Sequence, residues 1–195
     1  MEIIFYDKDI AVCVKPVGLD SEKEVPEKLS ETLGGEFFTV HRLDKNVGGV
    51  MVYARNKKSA ATLSAAIQNG DMVKEYIALV HGTPPERGTM EDLLFKDSTK
   101  NKVFVVKRER KGVKKAKLDY DVVRAGETSL VHIRLHTGRS HQIRVQFASR
   151  GFPLLGDRKY GGKDEYTAPM LFSSKITFPH HNELVSFEAI PEWAK

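Results

Sequence analysis

Apolar residues recur along this chain mostly at every second position, and in two places at helical spacing. "IIFYDKDIAVCVKP" holds two β-forming runs around an Asp7-Lys8-Asp9 turn, closed by Pro16 and Gly18. "FFTV" and "GVMVYA" are further β-like runs. "NKKSAATLSAAIQNG" reads as a helix: it is alanine-rich, sets Leu63 and Ile67 four apart, and meets a stop at Asn69-Gly70. "VKEYIALVHG" is a strand, and "AKLDYDVV" and "SLVHIRLHTG" are two more, joined by a turn at Ala125-Gly126. "SHQIRVQFASRG" predicts a second helix, with Ser140 near its start, Gly151 just past its end, and Ile143 and Phe147 as its core-facing stripe. "MLFSSKITF" and "LVSFEAI" complete a strand-rich C-terminal part. Strands outnumber helices and several connections are of hairpin length. The pattern predicts an α+β fold with a mainly antiparallel mixed sheet and flanking helices.

Composition narrows the class. The chain has 195 residues, 41% hydrophobic and 29% charged, enough for one domain with a real core. It has no run of 18 apolar residues, and its start lacks the basic and apolar regions of a secretory signal. The single cysteine, Cys13, lies in an apolar run that suits a core position, and it favours a reducing cytoplasmic setting. A monomer is the expectation for a chain this small and basic. The net charge of +5 leans towards an anionic partner, and its distribution says more than the total. From Lys96 to Lys117 there are ten Lys/Arg against Asp97 and Glu109. That segment, with Lys107, Arg108, Lys114 and Lys115 at its centre, reads either as a solvated loop or hairpin or as an arm that contacts phosphates.

Candidate chemistry gathers in two places. "VHRLDKNVGGVMVYARN" puts His41, Arg42 and Asp44 ahead of Gly48-Gly49 and an apolar run. Asp44 could cap a turn or pair with a surface lysine. At the end of a buried strand it would instead need a cationic partner, because desolvation disfavours the ionised form. "TGRSHQIRVQF" crowds Arg139, His141 and Arg144 at a helix start. This is either a basic surface helix or one that delivers arginine to a carboxylate or phosphate. The chain has neither the H-E-x-x-H pattern nor a phosphate-binding or dinucleotide glycine motif, and His180-His181 reads as a loop pair. No metal and no cofactor are expected.

Taken in order, several segments resemble one family, the RluA-type RNA pseudouridine synthases. "HRLDKNVGGVMVYARN" looks like its catalytic motif, "KEYIALVHG" like its tyrosine motif, and "TGRSHQIRVQFASRGFPLLGDRKYGG" like its third motif and glycine-rich signature. "DKDIAVCVKPVGLDS" resembles its first segment. Val47-Gly48-Gly49 departs from the family's frequent Thr-Ser-Gly. The resemblance implies the pseudouridine synthase catalytic fold with a central cleft, formed by residues 1–195 as one catalytic domain without a separate N-terminal RNA-binding domain. It implies isomerisation of specific uridines in structured ribosomal or transfer RNA, with no cofactor. Asp44 would be the catalytic residue, as nucleophile or base, and Arg144 would pair with it. Tyr76 would pack on the uracil, and Arg42 would fill the space of a flipped-out base. His41, Arg139, His141 and the four central basic residues would contact RNA. Two other readings stay open on sequence alone: a non-catalytic RNA-binding or assembly protein on the same fold, and a phosphodiesterase or ribonuclease using His41, His136 and His141.

Overall fold

A computed structural model describes residues 1–195, and the chain divides into two compact units. The first contains Met1–Lys74 and Phe172–Lys195, and the second contains Glu75–Leu171. No helix is long and apolar enough to cross a membrane.

The first unit is built on strand β4, Gly48–Ala54, all seven residues of which are buried. Burial on both faces explains why its sequence is a continuous apolar run rather than an alternating one. β4 pairs antiparallel with β2 (Ile10–Lys15) and with the short β3 (Phe38–Thr39), and β2 pairs antiparallel with β1 (Glu2–Tyr6). The chain returns late as β10 (Leu171–His180), which lies parallel to β4 at Phe172↔Gly48 and Ser173↔Gly49 and carries antiparallel β11 (Glu183–Glu188). One sheet face contributes Ile10, Val12, Val50, Val52, Ile176 and Phe178 to a core closed by Leu63 of helix α2 (Lys57–Asn69). The helix begins where the Asn56 side chain accepts the Ser59 N–H at 2.8 Å, and it stops at Gly70 in the left-handed conformation, as its sequence predicts.

The unit also holds a helix that periodicity missed, α1, Glu24–Leu33. It buries only Val25 and Leu29, and Pro26 in its first turn hides it as a sequence signal. Proline is tolerated there because first-turn N–H groups have no intrahelical partner.

The second unit orders its strands β5-β9-β8-β6-β7. β5 is Val73–His81, β6 Arg87–Asp97, β7 Lys102–Val106, β8 Val113–Arg124 and β9 Thr128–Leu135. β6 pairs antiparallel with β7 and β8, and β8 with β9. The basic segment Lys96–Lys117 is therefore mostly strand and tight turn. Its alternation supplies Val103 and Ala116 to a core shared with Leu94 of β6 and with Val145. The fold is α+β with a mixed, mainly antiparallel sheet, as the pattern predicts.

Helix α3, Gln142–Ser149, corrects one reading. Its first six residues, Gln142 to Phe147, are all buried, so it has no basic surface face. Ser140 does not open it. The cap is His141 in the left-handed conformation, φ 51°, and the helix starts after it.

Candidate active site

Asp44 sits, half-buried, at the start of a turn closed by Val47 N–H donating to its carbonyl at 2.9 Å. The main chain on both sides of it is fastened. Before it, the Ser21 hydroxyl donates to the Leu43 carbonyl at 2.9 Å and accepts the Leu43 N–H at 3.3 Å. Ser21 is itself held, because Tyr53 Oη donates to its carbonyl at 2.8 Å. After it, the Lys45 carbonyl accepts from Gly18 N–H at 2.8 Å and from Lys15 Nζ at 3.2 Å. The same Lys15 amine donates to the carbonyls of Leu19 at 2.8 Å and Pro16 at 3.0 Å. Lys15 is fully buried, and burial brings its pKa down to about 8 against the opposing pull of Asp20 and Asp44. A buried amine that bridges three carbonyls ties segment 16–19 to the Asp44 turn.

Gly48-Gly49 has a steric reason. Gly49 has φ +128°, and a β-carbon there would stand 2.4 Å from backbone atoms of Ser173. Only glycine lets β10 approach β4 this closely. Ser173 Oγ then donates to the Val50 carbonyl at 3.1 Å.

The neighbours of Asp44 in sequence do different jobs. The Arg42 side chain lies on the surface, with Nη1 2.7 Å from Glu22 Oε2, an exposed pair of small energetic weight. His41 turns inward. Its Nε2 accepts the Val52 N–H at 3.2 Å, and burial, with Lys74 adding to it, pushes its pKa down to about 3. The imidazole is therefore neutral and braces the central strand, so that nitrogen is not offered to a ligand.

In the second unit Tyr76 is buried on β5. Arg144 is also buried, and its guanidinium makes a bidentate pair with Asp157, Nε to Oδ2 at 2.7 Å and Nη2 to Oδ1 at 2.8 Å. The ring of Tyr160 lies 5.3 Å from the guanidinium carbon. Tyr160 Oη accepts the Val103 N–H at 2.8 Å and is hydrogen-bonded to His141 Nδ1, also at 2.8 Å. This bond supports His141 in a backbone conformation that a non-glycine residue seldom adopts.

Buried Gln142 completes the helix start. Its Oε1 accepts from Thr137 Oγ1 at 2.8 Å and Arg139 N–H at 3.0 Å, and its Nε2 donates to the Lys117 carbonyl at 3.1 Å. Arg139 is exposed, with Nε donating to the Lys115 carbonyl at 2.9 Å. Lys107, Arg108, Lys114 and Lys115 are all exposed, and Lys115 Nζ lies 3.3 Å from Glu109 Oε1.

This build is a braced carboxylate loop in one unit and a buried arginine at a helix start in the other. It coincides with the match of residues 2–149 to the model of the RNA pseudouridylate synthase family. The chain belongs to that family. Pseudouridine synthases are isomerases. The chain is 35% identical over 193 residues to an uncharacterized RNA pseudouridine synthase of Aquifex aeolicus, covering 89% of this chain and 60% of that one. It is 33% identical over 176 residues to the ribosomal large subunit pseudouridine synthase D of Vibrio cholerae, covering 84% of this chain and 53% of that one. It therefore spans little more than half the length of these two relatives. Among solved structures, human RNA pseudouridylate synthase domain containing 1 superposes with a TM-score of 0.84 at 24% identity, over 97% of this chain and 83% of that one, which supports the pseudouridine synthase fold.

Sequence reasoning missed Lys15, Ser21, Gln142, Asp157 and Tyr160. Their signal was weak but present: the first two stand in "KPVGLDS" and the last two in "GDRKYGG", both quoted for the family resemblance without a role for these residues.

Proposed function

We propose that this chain converts uridine to pseudouridine in RNA, with Asp44 as the catalytic carboxylate. The observation that carries this reading is the bracing of Asp44: Ser21 and Lys15 hold the main chain on either side of it, fixing a reactive group in advance of substrate binding. The reaction breaks the N-glycosidic bond, turns the uracil and rejoins it through C5, so nothing is consumed. Asp44 acts as nucleophile or base, and Tyr76 and Arg144 serve the same reaction. The target base leaves its stack before chemistry, and Arg42, released from Glu22, takes its place. Arg139 and the exposed Lys107, Arg108, Lys114 and Lys115 hold phosphates, which position the RNA without reading its sequence. Ribosomal RNA is the proposed substrate class, on the strength of the name of the Vibrio relative.

The test is Asp44→Asn assayed on RNA transcribed from a ribosomal template. Turnover is expected to fall by about three orders of magnitude or more. RNA affinity should stay within a few-fold of the parent's. Full activity in this variant would remove Asp44 from the mechanism. Cleavage of the RNA strand would replace the isomerase reading with a nuclease.

A further inference from the structure

Two turns of the first unit that the proposed reaction does not use bring four metal-ligating side chains together. Asp7 and Asp9 lie in the turn between β1 and β2, and His180 and His181 lie where β10 turns into β11. His180 Nε2 is 2.8 Å from Asp7 Oδ2. His181 Nε2 is 3.4 Å from the same oxygen and 3.2 Å from Asp9 Oδ2. The ligand atoms of Asp7, His180 and His181 all fall within 4.8 Å of one another. Ligands held tetrahedrally at zinc distances stand roughly 3.3 Å apart, so these three would draw together around an ion, with Asp9 following from its place beside His181.

The orientation of the carboxylates is the stronger argument. Asp7 Oδ1 accepts the N–H groups of Asp9 at 2.7 Å and Ile10 at 2.8 Å. Asp9 Oδ1 accepts from Asn56 Nδ2 at 3.0 Å and Ser59 Oγ at 3.2 Å. In each, protein donors tie one oxygen; the other faces both imidazoles in Asp7 and His181 alone in Asp9. This is how outer partners aim a carboxylate at a metal. Elsewhere His81 with Asp164, His132 with Glu75 and His136 with Asp119 each bring one imidazole to one carboxylate. Here two imidazoles and two carboxylates converge from opposite ends of the chain. That origin explains why a search for local ligand spacing passes over them.

We propose that Asp7, Asp9, His180 and His181 form a binding site for a divalent transition metal of the zinc class, which clamps the β1–β2 turn to the β10–β11 turn. Two imidazole nitrogens with two carboxylate oxygens suit zinc or cobalt, whereas calcium and magnesium favour oxygen alone. Two neutral imidazoles and two carboxylates also balance the charge of the ion.

The experiment titrates the full-length protein, free of any histidine tag, with zinc chloride in a calorimeter and with cobalt chloride by visible absorption. One zinc per chain is expected, with a rise in melting midpoint and a four-coordinate cobalt spectrum. His181→Asn should weaken zinc binding by about tenfold or more and abolish the rise in midpoint. Asparagine accepts the left-handed backbone at this position, φ 47°, so the metal-free variant should melt like the parent. Asp9→Asn keeps an oxygen for Asn56 and Ser59 but offers the metal an amide nitrogen, and should weaken binding similarly. His136→Asn should change nothing. The absence of saturable zinc binding up to about 100 µM would overturn the site. Parental affinity in either His181→Asn or Asp9→Asn would also overturn it.

Discussion

Around Asp44 the bonds fall on the flanking main chain, where Ser21 engages Leu43, and Lys15 and Gly18 share the Lys45 carbonyl. Around Arg144 they fall on the guanidinium itself, gripped by both oxygens of buried Asp157. The first arrangement fixes where the Asp44 side chain starts. The second makes the side chain part of the packing. A loss of activity on changing Asp44 is read as chemistry when the melting midpoint is measured beside it. The same loss on changing Arg144 mixes chemistry with stability, and the two must be measured together.

The largest stability effect expected after the Asp44→Asn test comes from breaking the buried pair. Asp157→Ala or Arg144→Ala should cost about 3–5 kcal/mol in denaturant unfolding, because each leaves a charge without its bidentate partner. Arg139→Ala, which removes one exposed bond to a carbonyl, should cost less than about 1 kcal/mol. Equal costs for Arg144→Ala and Arg139→Ala would collapse the contrast between the two regions.

Next in size is Lys15→Met, which leaves the carbonyls of Pro16, Leu19 and Lys45 without their shared donor. It should cost about 1–3 kcal/mol. Turnover measured well below the melting midpoint should also fall, because the Asp44 turn loses its brace. Parental turnover in a destabilised Lys15→Met would mean that the amine supports the fold alone.

The pH dependence sharpens the comparison, because the first unit keeps His41 neutral where the second relies on a charged pair. The folded-state pKa of His41, about 3, lies below its ordinary 6.5. As pH falls from 6.5 towards 3, the unfolded chain binds a proton there and the folded chain does not, so stability declines across that window. His41→Gln should flatten this decline in melting midpoint against pH. An unchanged slope would assign the acid sensitivity to other groups.

The smallest effect concerns the exposed cations. Replacing Lys107, Arg108, Lys114 and Lys115 by alanine should leave stability within about 0.5 kcal/mol. It should reduce the slope of log affinity for RNA against log salt by up to roughly 0.7–0.9 per phosphate contact removed. An unchanged slope would mean that this edge faces away from RNA.

Much was legible in the sequence because the signals are local. Alternation marked the paired strands, Asn69-Gly70 ended α2, and the H-R-L-D stretch put Asp44 in a loop ahead of a buried strand. Motif order sufficed for the family. Other features were decided by tertiary structure alone. The bidentate partner of Arg144 is thirteen positions away, and no spacing rule connects the two. His41 reads as a basic residue until its ring is seen accepting a backbone N–H of the central strand. Lys15 looks like an ordinary strand-end lysine, yet it is buried on three carbonyls from two segments. Gly49 is required because a strand more than a hundred residues later runs against it. Backbone preference is set by neighbours in the chain, whereas the charge state and role of a side chain are set by neighbours in space.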